Sequence, residues 1–569
     1  MIITLRAIQI LSLIVLIRQS SSQDITNTLG SSGYFRIKDN STTFLSLDQP
    51  TGNIAFNRNV VIPVCFSSNA GVIMKWSDPF IHDYSPFGSL GRNTFLGVRA
   101  GNFLLSNTAN YNTGLGHGTL GSLTTGSNNT AVGSNSMLNN TTGTYNTALG
   151  SGSLYFNTTG SYNIAIGSNA LYSNTSGNYN AALGYESLLN NTTGYQNSSF
   201  GTYTLHNNTT GYHNSAFGVS SLRYNTTGRQ NSAFGNSSLQ KNTTGQMNSS
   251  FGNTTMQENT TGSYNCGFGD QTLHGNTTGD ENSAFGFATL MYNTSGNNNS
   301  AFGSGSMHSN TTAIENSGFG ANTMHDNTTG NFNAAFGTNA MWNNTTGGGN
   351  TAIGSYSMSG NTIGTVNTVV GHQAATNLVS GNNNTLLGYD AEPTSISVNN
   401  QITLGNNQIT SLRCNVVNIT SLSDARDKKN IKELSLGLDF ITKLKPRQFN
   451  WDKREWYDGN VSDGSKTLQA PTAGFIAQEL DSLQQTENAE WLNLVLKDNP
   501  EKWEATTGNL LPIMVKAIQE LKAENDALKS ENSTLRIEIS ALKLMDDKIN
   551  AINKELQNLK IISIENKSE

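Results

Sequence analysis

The sequence predicts a mainly β protein, in which a β-solenoid or β-roll shaft of 17-residue repeats precedes a small α+β domain and a C-terminal trimeric coiled coil. Three observations predict it. An asparagine recurs every 17 residues from Asn112 to Asn384, and so strict a period indicates stacked structural units. Charge and ordinary globular composition return after residue 423. Leucines then recur every seven residues from Leu521 to Leu542, the spacing of a coiled-coil seam.

These composition changes divide the 569 residues into six predicted segments. They are a signal peptide at 1–22, an N-terminal cap or attachment region at 23–100, the repeats at 101–395, a neck at 396–422, the α+β domain at 423–515 and the coiled coil at 516–562.

The N-terminus has the layout of a secretory signal. Arg6 precedes an apolar run from Ala7 to Ile17, and three small residues end at Ser22, where we expect cleavage. The run is shorter than the ~20 residues that a membrane-spanning helix needs. We therefore expect a secreted or cell-surface protein, whose only membrane contact would be this segment if it stays uncleaved. In a eukaryotic host the many Asn-x-Ser/Thr triplets would then accept glycans, which predicts a glycoprotein.

Each repeat has a fixed internal pattern. An apolar residue such as Ile166 follows the asparagine by three positions, a glycine such as Gly167 by four, and Leu or Met by eight in every copy from Leu120 to Met358. Two glycine-marked turns predict a coil of two short strands. We expect the column of Ile166 to point inward, the small column of Ala165 to face a close neighbouring surface, and equivalent asparagines to hydrogen-bond in ladders.

The thin apolar content of one coil predicts assembly. Two large apolar side chains per coil supply ~1.5–3 kcal/mol each, which barely opposes the entropy of ordering the coil. We therefore expect three chains around a common axis. Low-complexity disorder would not require Leu or Met at a fixed offset, and Ala313 is the clear departure from the repeat.

Composition also limits the chemistry. Charged residues make up 13% of the chain and the net charge is -6, so neither an ordinary α/β enzyme nor a nucleic-acid partner is expected. Asp280 and Glu281 are adjacent, which places them on opposite faces of a strand rather than as a catalytic pair. Cys65, Cys266 and Cys414 lie far apart and the histidines lack ligand spacing, so we predict no metal and no cofactor.

The C-terminal part has its own predicted elements. A helix begins at Leu438 and ends before Pro446, Phe449–Trp451 forms a strand, and Gly474–Leu480 passes from strand to helix. A long helix without further Pro or Gly opens at 510–512. Its heptad seam contains two asparagines, which set register at some cost in stability, and one three-residue step after Leu542 that overwinds the supercoil locally.

Five spaced motifs in this part agree in order with a known family. They are Ser423-Asp424-x-Arg426-x-Lys428-x-Asn430-Ile431, Leu438-Asp439-x-Ile441, Pro446-x-x-Phe449-x-Trp451, Gly474-Phe475-Ile476-Ala477-Gln478-Glu479 and Ala517-Ile518-Gln519-Glu520-Leu521. Over roughly 410–545 the chain resembles the intramolecular chaperone domain of endosialidase-type phage tailspikes, which also occurs in myelin-regulatory-factor-like proteins. The repeat motif Asn-x-Ala-x-Gly resembles the β-roll heads of trimeric autotransporter adhesins and repeats of phage-like tail fibres.

The resemblance implies a domain that trimerises, guides folding of the β-rich part before it and then releases itself by autoproteolysis. It implies Ser423 as the nucleophile, Lys428 as the base and a cut between Leu422 and Ser423, with Asp424, Arg426 and Asn430 as supporting motif residues. The chain would then be a self-cleaving serine endopeptidase that acts only on itself.

This chemistry is coherent on its own terms. A serine hydroxyl needs a base, and a lysine serves as one only when its pKa falls far below its usual ~10.4. Arg426 and Lys429 place positive charge nearby in sequence, and closure of a trimer could bury the lysine. Whether the dyad acts within one protomer or across two stays open at this point.

The leading functional hypothesis is a secreted or surface trimeric fibre or adhesin-like protein. One alternative is a tailspike-like protein that binds or degrades polysaccharide, since Asn-, Tyr- and Phe-rich turns suit a glycan or other cell-surface ligand, although they could equally fill the interface. Another alternative is a membrane-anchored precursor that is released by trimer-triggered self-cleavage. A virion fibre is the other alternative to a secreted or cell-surface location.

Overall fold

The computed structural model describes residues 34–38, 43–48, 54–56, 72–84, 92–409, 411–413 and 423–565. The predicted signal peptide, Leu422, Cys65 and Cys414 lie outside the described residues. The chain divides into two compact units, Met1–Thr346 and Gly347–Glu569. The fold is mainly β, with a β-solenoid of about 18 turns, a small α/β region and a C-terminal helix.

The N-terminal part of the first unit consists of short antiparallel pairs. β1 (Tyr34–Lys38), β2 (Thr43–Asp48) and β3 (Ile54–Phe56) form one antiparallel sheet. β4 (Ile73–Lys75) and β5 (Asp78–His82) form a hairpin, and β5 pairs antiparallel with β6 (Thr94–Leu96). The parallel ladder of the shaft begins at β6.

Each coil contributes one three-residue strand. Within each unit, neighbouring strands pair in parallel at a spacing of 17 residues, as Ile164 does with Ala181, except that Thr94 of β6 pairs with Thr113, 19 residues later. In the first unit the further strands are β7 Thr113–Leu115, β8 Thr130–Val132, β9 Thr147–Leu149, β10 Ile164–Ile166, β11 Ala181–Leu183, β12 Ser198–Phe200, β13 Ser215–Phe217, β14 Ser232–Phe234, β15 Ser249–Phe251, β16 Cys266–Phe268, β17 Ser283–Phe285, β18 Ser300–Phe302, β19 Ser317–Phe319 and β20 Ala334–Phe336. In the second unit they are β21 Thr351–Ile353, β22 Thr368–Val370, β23 Thr385–Leu387 and β24 Ile402–Leu404.

The prediction of two strands per coil is wrong. The rest of each coil consists of turns with left-handed backbone at fixed positions, for example Tyr162, Asn169 and Leu171 with φ of 60°, 58° and 52°. Gly167 has φ 132°, and a Cβ there would overlap the carbonyl of Gly184 in the next coil. In each coil these left-handed residues turn the chain where a second strand was expected, so the coil closes through turns.

The predicted asparagine ladders are confirmed, and the interior of the coils is filled by the Leu and Met residues that recur eight positions after the ladder asparagine. The Leu and Met residues from Leu120 to Met358 are fully buried. Asn163 Nδ2 donates to Asn146 Oδ1 at 3.2 Å and to the carbonyl of Gly177 at 2.8 Å. A second ladder runs beside it, in which Asn174 Nδ2 donates to Asn157 Oδ1 at 2.7 Å and to the same carbonyl at 3.0 Å. The polar interior is therefore hydrogen-bonded by identical neighbours.

The orientation predicted for the strand residues is wrong. Ala165 is fully buried, whereas Ile166 points outward and is 36% exposed. The interior opposite the Leu/Met column is too narrow for a large side chain, since a Cβ at the equivalent Gly267 would already press on Met256 Cε. Only Ala, Ser and Gly fill this position over most of the shaft, and the large third residue of each strand is left on the outer surface.

The C-terminal region of the second unit contains the predicted helices. α1 spans Leu438–Lys443, β25 (Arg447–Asn450) pairs antiparallel with β26 (Pro471–Gly474), α2 spans Ala477–Thr486, β27 (Val495–Leu496) pairs with β28 (Glu504–Ala505), and α3 spans Leu511–Glu565. Short 3₁₀ turns lie at Ala425–Asp427, Arg454–Trp456, Asp458–Asn460, Glu490–Leu492 and Thr507–Leu510. A small core joins these elements through Phe440, Leu480, Leu494, Leu510 and Ile513.

The heptad seam of α3 is exposed on this chain. Leu521, Leu528, Leu535 and Leu542 are each about half exposed or more. A long helix with an unpartnered apolar seam is typical of a coiled-coil strand, and the number of strands is not fixed by one chain. Across the described residues, every helix is too short or too polar to span a bilayer.

Candidate functional site

The junction residues 423–430 form one tight turn. Asp424 caps it, because its Oδ1 accepts a hydrogen bond from the backbone N–H of Arg426 at 2.9 Å. The following 3₁₀ turn, Ala425–Asp427, is closed by the Lys428 N–H, which donates to the Ala425 carbonyl at 3.2 Å. Such a turn reverses the chain within a few residues, so it brings the side chain of Lys428 back toward Ser423.

The two side chains predicted as nucleophile and base are in contact. Lys428 Nζ donates a hydrogen bond to Ser423 Oγ. Both residues are exposed on this chain. Contact between a hydroxyl and an amine is the geometry that proton transfer requires, provided that the amine loses its own proton first.

Arg426 forms an ion pair with Asp424 rather than with a residue of the dyad. Its Nε lies 3.1 Å from both carboxylate oxygens of Asp424, and its Nη2 lies 2.6 Å from Oδ2. The pKa of Asp424 is lowered mainly by these hydrogen bonds, and the pKa of Arg426 is raised by the same carboxylate. Asp424 therefore compensates the charge of Arg426, one of the two positive charges that the sequence places near Lys428.

Asn430 ends the turn. Its backbone is left-handed, with φ 57°, a conformation that asparagine tolerates better than most residues. Of the predicted supporting residues, Asp424 and Arg426 thus shape the turn and Asn430 redirects the chain after it. Leu422, on the other side of the predicted cut, lies outside the described residues.

The domain that follows the junction is stabilised by contacts that could not be predicted from the sequence. Glu520 on α3 caps α1, since its Oε2 accepts the N–H of Leu438 at 2.6 Å. Gly437 has no side chain to cap this helix, and a Cβ there would overlap the Glu520 carboxylate. Two features of the sequence are consistent with this cap: the helix begins after a glycine, and the last of the five motifs contains a glutamate. Nothing in the sequence pairs these two positions, which lie 82 residues apart.

Two further contacts fix α2. Arg447 holds Glu479 through two bonds, Nε to Oε2 at 3.0 Å and Nη2 to Oε1 at 2.5 Å. The guanidinium lowers the pKa of Glu479 below its ordinary value. The buried Gln484 donates to Asp481 at 3.0 Å and accepts the N–H of Leu494 at 3.1 Å. Glu479, the last residue of the motif at 474–479, therefore ties the start of α2 to β25.

In the described part of the chain, no three or more His, Cys, Asp or Glu side chains are grouped so that they could hold a metal ion. The acidic neighbours Asp280 and Glu281 occupy a turn: Asp280 Oδ1 accepts the Ser263 N–H at 2.7 Å, and Glu281 has left-handed backbone.

Comparison with known families identifies the domain. Residues 423–487 match the family model Peptidase S74, described as chaperone of endosialidase, and the match begins at Ser423. Searches of curated proteins and of solved structures each gave no match. The chain thus carries a chaperone-of-endosialidase domain, preceded by a β-solenoid of about 18 turns, and this arrangement fits a tailspike-like or fibre-like protein.

Proposed function

We propose that this chain is a trimeric fibre protein, secreted or displayed on a surface, whose chaperone-of-endosialidase domain assists assembly of the shaft and then cuts the chain between Leu422 and Ser423. One observation carries the proposal: Lys428 Nζ is hydrogen-bonded to Ser423 Oγ at the first residue of the matched domain.

The reaction follows from this contact. Neutral Lys428 takes the proton of the Ser423 hydroxyl while Oγ attacks the carbonyl carbon of Leu422. The bond between that carbon and the Ser423 nitrogen breaks, and the nitrogen receives the proton from the Lys428 ammonium. An ester between Leu422 and Ser423 Oγ results. Water hydrolyses it to a Leu422 carboxylate, which ends the shaft, and a free Ser423 amine, which begins the released domain.

Assembly would act as the trigger. Lys428 is exposed on a single chain, and burial is the effect that most strongly favours a neutral amine. The exposed seam of α3 gives three chains a way to associate, and closure around the junction would remove water from the dyad. Cleavage would therefore follow correct assembly rather than precede it.

The test is a denaturing gel of the purified full chain beside three variants. Wild type should give two fragments, the smaller beginning at Ser423, whereas Ser423→Ala and Lys428→Ala should run at full length. Lys432→Ala, which changes an exposed lysine beyond the turn, is the matched control and should be cut normally. A wild-type chain that stays intact, or a Ser423→Ala chain cut at the same bond, would refute self-cleavage.

A second candidate function, polysaccharide binding, is favoured by one groove on the shaft. The groove has a volume of about 550 Å³ and is lined by Ser122, Asn139, Thr141, Phe156, Thr158, Ser173 and Thr175. An exposed phenyl ring beside hydroxyls and an amide suits a neutral sugar, and no lining residue is a carboxylate that could hydrolyse it. Calorimetry with cellohexaose and chitohexaose should detect binding that Phe156→Ala abolishes and Tyr224→Ala, at the equivalent position, leaves intact. Absence of binding to both sugars would reject this candidate.

The route to the surface is a separate part of the proposal. The apolar N-terminal segment supports secretion, with a membrane-anchored precursor as the alternative. N-terminal sequencing of protein from the native host distinguishes them, because removal of the signal exposes Gln23 and retention of an anchor leaves Met1.

A further inference from the structure

The outer surface of the shaft carries an unbroken apolar column, the third residue of every strand from β6 to β20. We call it the apolar stripe. Its members are Leu96, Leu115, Val132, Leu149, Ile166, Leu183, Phe200, Phe217, Phe234, Phe251, Phe268, Phe285, Phe302, Phe319 and Phe336. All of them lie outside the coils, and the most exposed reach 36–43%.

The phenylalanines of the stripe form one continuous stack. Neighbouring rings from Phe200 to Phe336 have centroids 4.5–5.0 Å apart and planes within 8° of each other. Because each ring face is covered by the next ring, the stack presents ring edges to its surroundings. Ring edges pack well against other apolar side chains, whereas sugars stack on ring faces.

The strand residues beside the stripe are small and uncharged over most of its length. The first residue of each strand also points outward, and from β12 to β20 it is Ser, Cys or Ala. No charged residue occurs within any of the strands from β6 to β20. Small neutral flanks allow a second surface to approach the stripe closely over most of its length.

The area of the stripe approaches the size that a stable interface needs. If each phenylalanine exposes about a third of the ~200 Å² that such a side chain can bury, the stack alone presents on the order of 600 Å². A standard interface buries about 800 Å² per partner, and the aliphatic members of the stripe add to the stack. A patch of this size lies at the upper end of what a typical soluble monomer exposes, and such patches often mark interaction sites.

We propose that the apolar stripe is the surface by which copies of this chain pack against one another along the shaft. A second copy is the favoured occupant because its own stripe has the same 17-residue spacing, the same length and no charge, so the two match in register over every coil. The chain also carries a second self-association surface, the exposed seam of α3. The inference rests on the trimer of the proposed function and assigns its interface within the shaft.

The stripe also accounts for the apolar column that looked like an inner one. Its residues are apolar in every coil because they are buried between chains, while the interior of each coil is filled by Leu/Met, the small column and the asparagine ladders. The interior of each coil is thus filled by residues of the same chain. The apolar outer face of the coil still requires a neighbouring chain to cover it.

The test compares two stacks of aromatic rings with the same geometry. Phe217 and Phe251 lie two coils apart in the stripe, and Tyr145 and Tyr179 lie two coils apart in an exposed stack whose rings are 5.0 Å apart. The tyrosine stack stops after three rings, where Gln196 takes the position, so it offers no long apolar surface. Double substitution to Glu disrupts stacking equally in both but buries charge only in the stripe.

The experiment uses the full chain with Ser423→Ala and a site-specific protease sequence in place of residues 414–422. The chain assembles intact, the protease then releases the shaft, and analytical ultracentrifugation gives its mass. The parent shaft should remain a trimer, Phe217→Glu with Phe251→Glu should weaken association at least tenfold, and Tyr145→Glu with Tyr179→Glu should not. Hydrogen exchange at the coil backbone should stay slow in both variants, which shows that the coils are folded.

Each outcome decides the proposal. It is overturned if the phenylalanine variant stays a trimer, if both variants dissociate alike, if the parent shaft is monomeric after release, or if neutral oligosaccharides bind the stripe of a monomeric shaft. Self-cleavage plays no part in this test, so its failure would not affect the result. A full chain that is monomeric before protease treatment would instead refute the trimer of the proposed function as well.

Discussion

The shaft and the C-terminal domain are stabilised in different ways. In the shaft the same few bonds recur in every coil, such as the amide ladder in which Asn225 donates to Asn208 at 2.7 Å. In the domain each contact occurs once and often involves charge, as between Glu520 and the start of α1 or between Arg447 and Glu479. Repetition lets the shaft grow without charged groups, whereas unique contacts let the domain fold in one way.

The two regions also differ in how far a contact reaches along the sequence. Ladder bonds join residues 17 apart, so each coil depends on its neighbours alone. The Glu520 cap joins residues 82 apart and ties the first helix of the domain to the last. Damage should therefore stay local in the shaft and spread through the domain, and the following predictions test this difference in order of expected effect.

The largest effect is expected from one ladder residue. Asn208 Nδ2 donates to Asn191 Oδ1 and to the Gly211 carbonyl, and its Oδ1 accepts from Asn225. Asn208→Ala would leave buried polar groups without partners, at a cost of ~3–5 kcal/mol in local stability. Hydrogen-exchange mass spectrometry should detect lost protection in the neighbouring coils and unchanged protection farther along the shaft.

An exposed asparagine provides the control. In the described shaft, the side chain of Asn236 takes part in one hydrogen bond, which its Oδ1 accepts from the adjacent Ser237 hydroxyl. Asn236→Ala should leave exchange unchanged. Loss of protection along the whole shaft in Asn208→Ala would contradict the local, repeat-by-repeat stability on which the comparison depends.

The second effect concerns the domain. Glu520→Ala removes the cap of α1 and should lower the stability of the domain by ~1–2 kcal/mol. Because the cap joins distant parts, thermal melts followed by tryptophan fluorescence should shift as one cooperative transition. Glu524→Ala, exposed one turn later on the same helix, should leave the melt unchanged. If α1 unfolds separately and the main transition does not shift, the cap does not couple α1 to the rest of the domain.

Much of the shaft could be predicted because its pattern repeats. The inner Leu/Met column and the asparagine ladders follow from side chains that recur at a fixed offset. The orientation of Ile166 could not be predicted in the same way. Alternation along a strand separates two faces but does not say which face is inside, and the width of the coil, which decides this, depends on turns with positive φ.

Less of the candidate site could be predicted from chemistry alone. The spacing of Ser423 and Lys428 allowed a dyad, and the family resemblance singled it out. The ion pair between Asp424 and Arg426 could not be predicted from their spacing, because the turn that brings the two side chains together is a property of the folded chain. The Glu520 cap was missed because its partners meet only in the folded domain.

The third prediction is a pH dependence confined to the domain. Arg447, and to a smaller extent Lys445, holds the pKa of Glu479 below its ordinary 4.5. A depressed folded-state pKa contributes stability above the unfolded value, and that contribution disappears as pH falls through the folded value. Arg447→Ala should therefore lower the melting temperature at pH 7 and have little effect near pH 2.

Lys445→Ala is the matched control, since it removes a cation with a smaller effect on the same carboxylate and should give a smaller shift. The pair is exposed, so both shifts should also decrease in high salt. An Arg447→Ala shift that is the same at pH 7 and pH 2 would mean that the arginine acts through packing.

The smallest effect is expected at Ala313, which occupies a position held by glycine in most coils. There the ladder is stretched: Asn310 donates to the Ala313 carbonyl at 3.3 Å, and Asn327 donates to Asn310 Oδ1 at 3.3 Å. The corresponding bonds one coil earlier, Asn293 to Gly296 and Asn310 to Asn293, measure 3.0 and 2.7 Å. A Cβ at the glycine position crowds the ladder oxygen of its own coil, which explains the longer bonds.

Ala313→Gly should restore the shorter bonds, while the extra backbone freedom of glycine in the unfolded chain offsets part of the gain, so the net change should stay within ~1 kcal/mol. The sensitive measurement is exchange of the Asn327 side-chain amide, which should slow. The reverse substitution, Gly228→Ala, should speed exchange of the Asn242 amide, which donates to Asn225 Oδ1 at 2.8 Å. If neither amide responds, the ladder is not the part of the coil that senses this position, and the uniform glycine would have to be explained by the close approach of successive backbones instead.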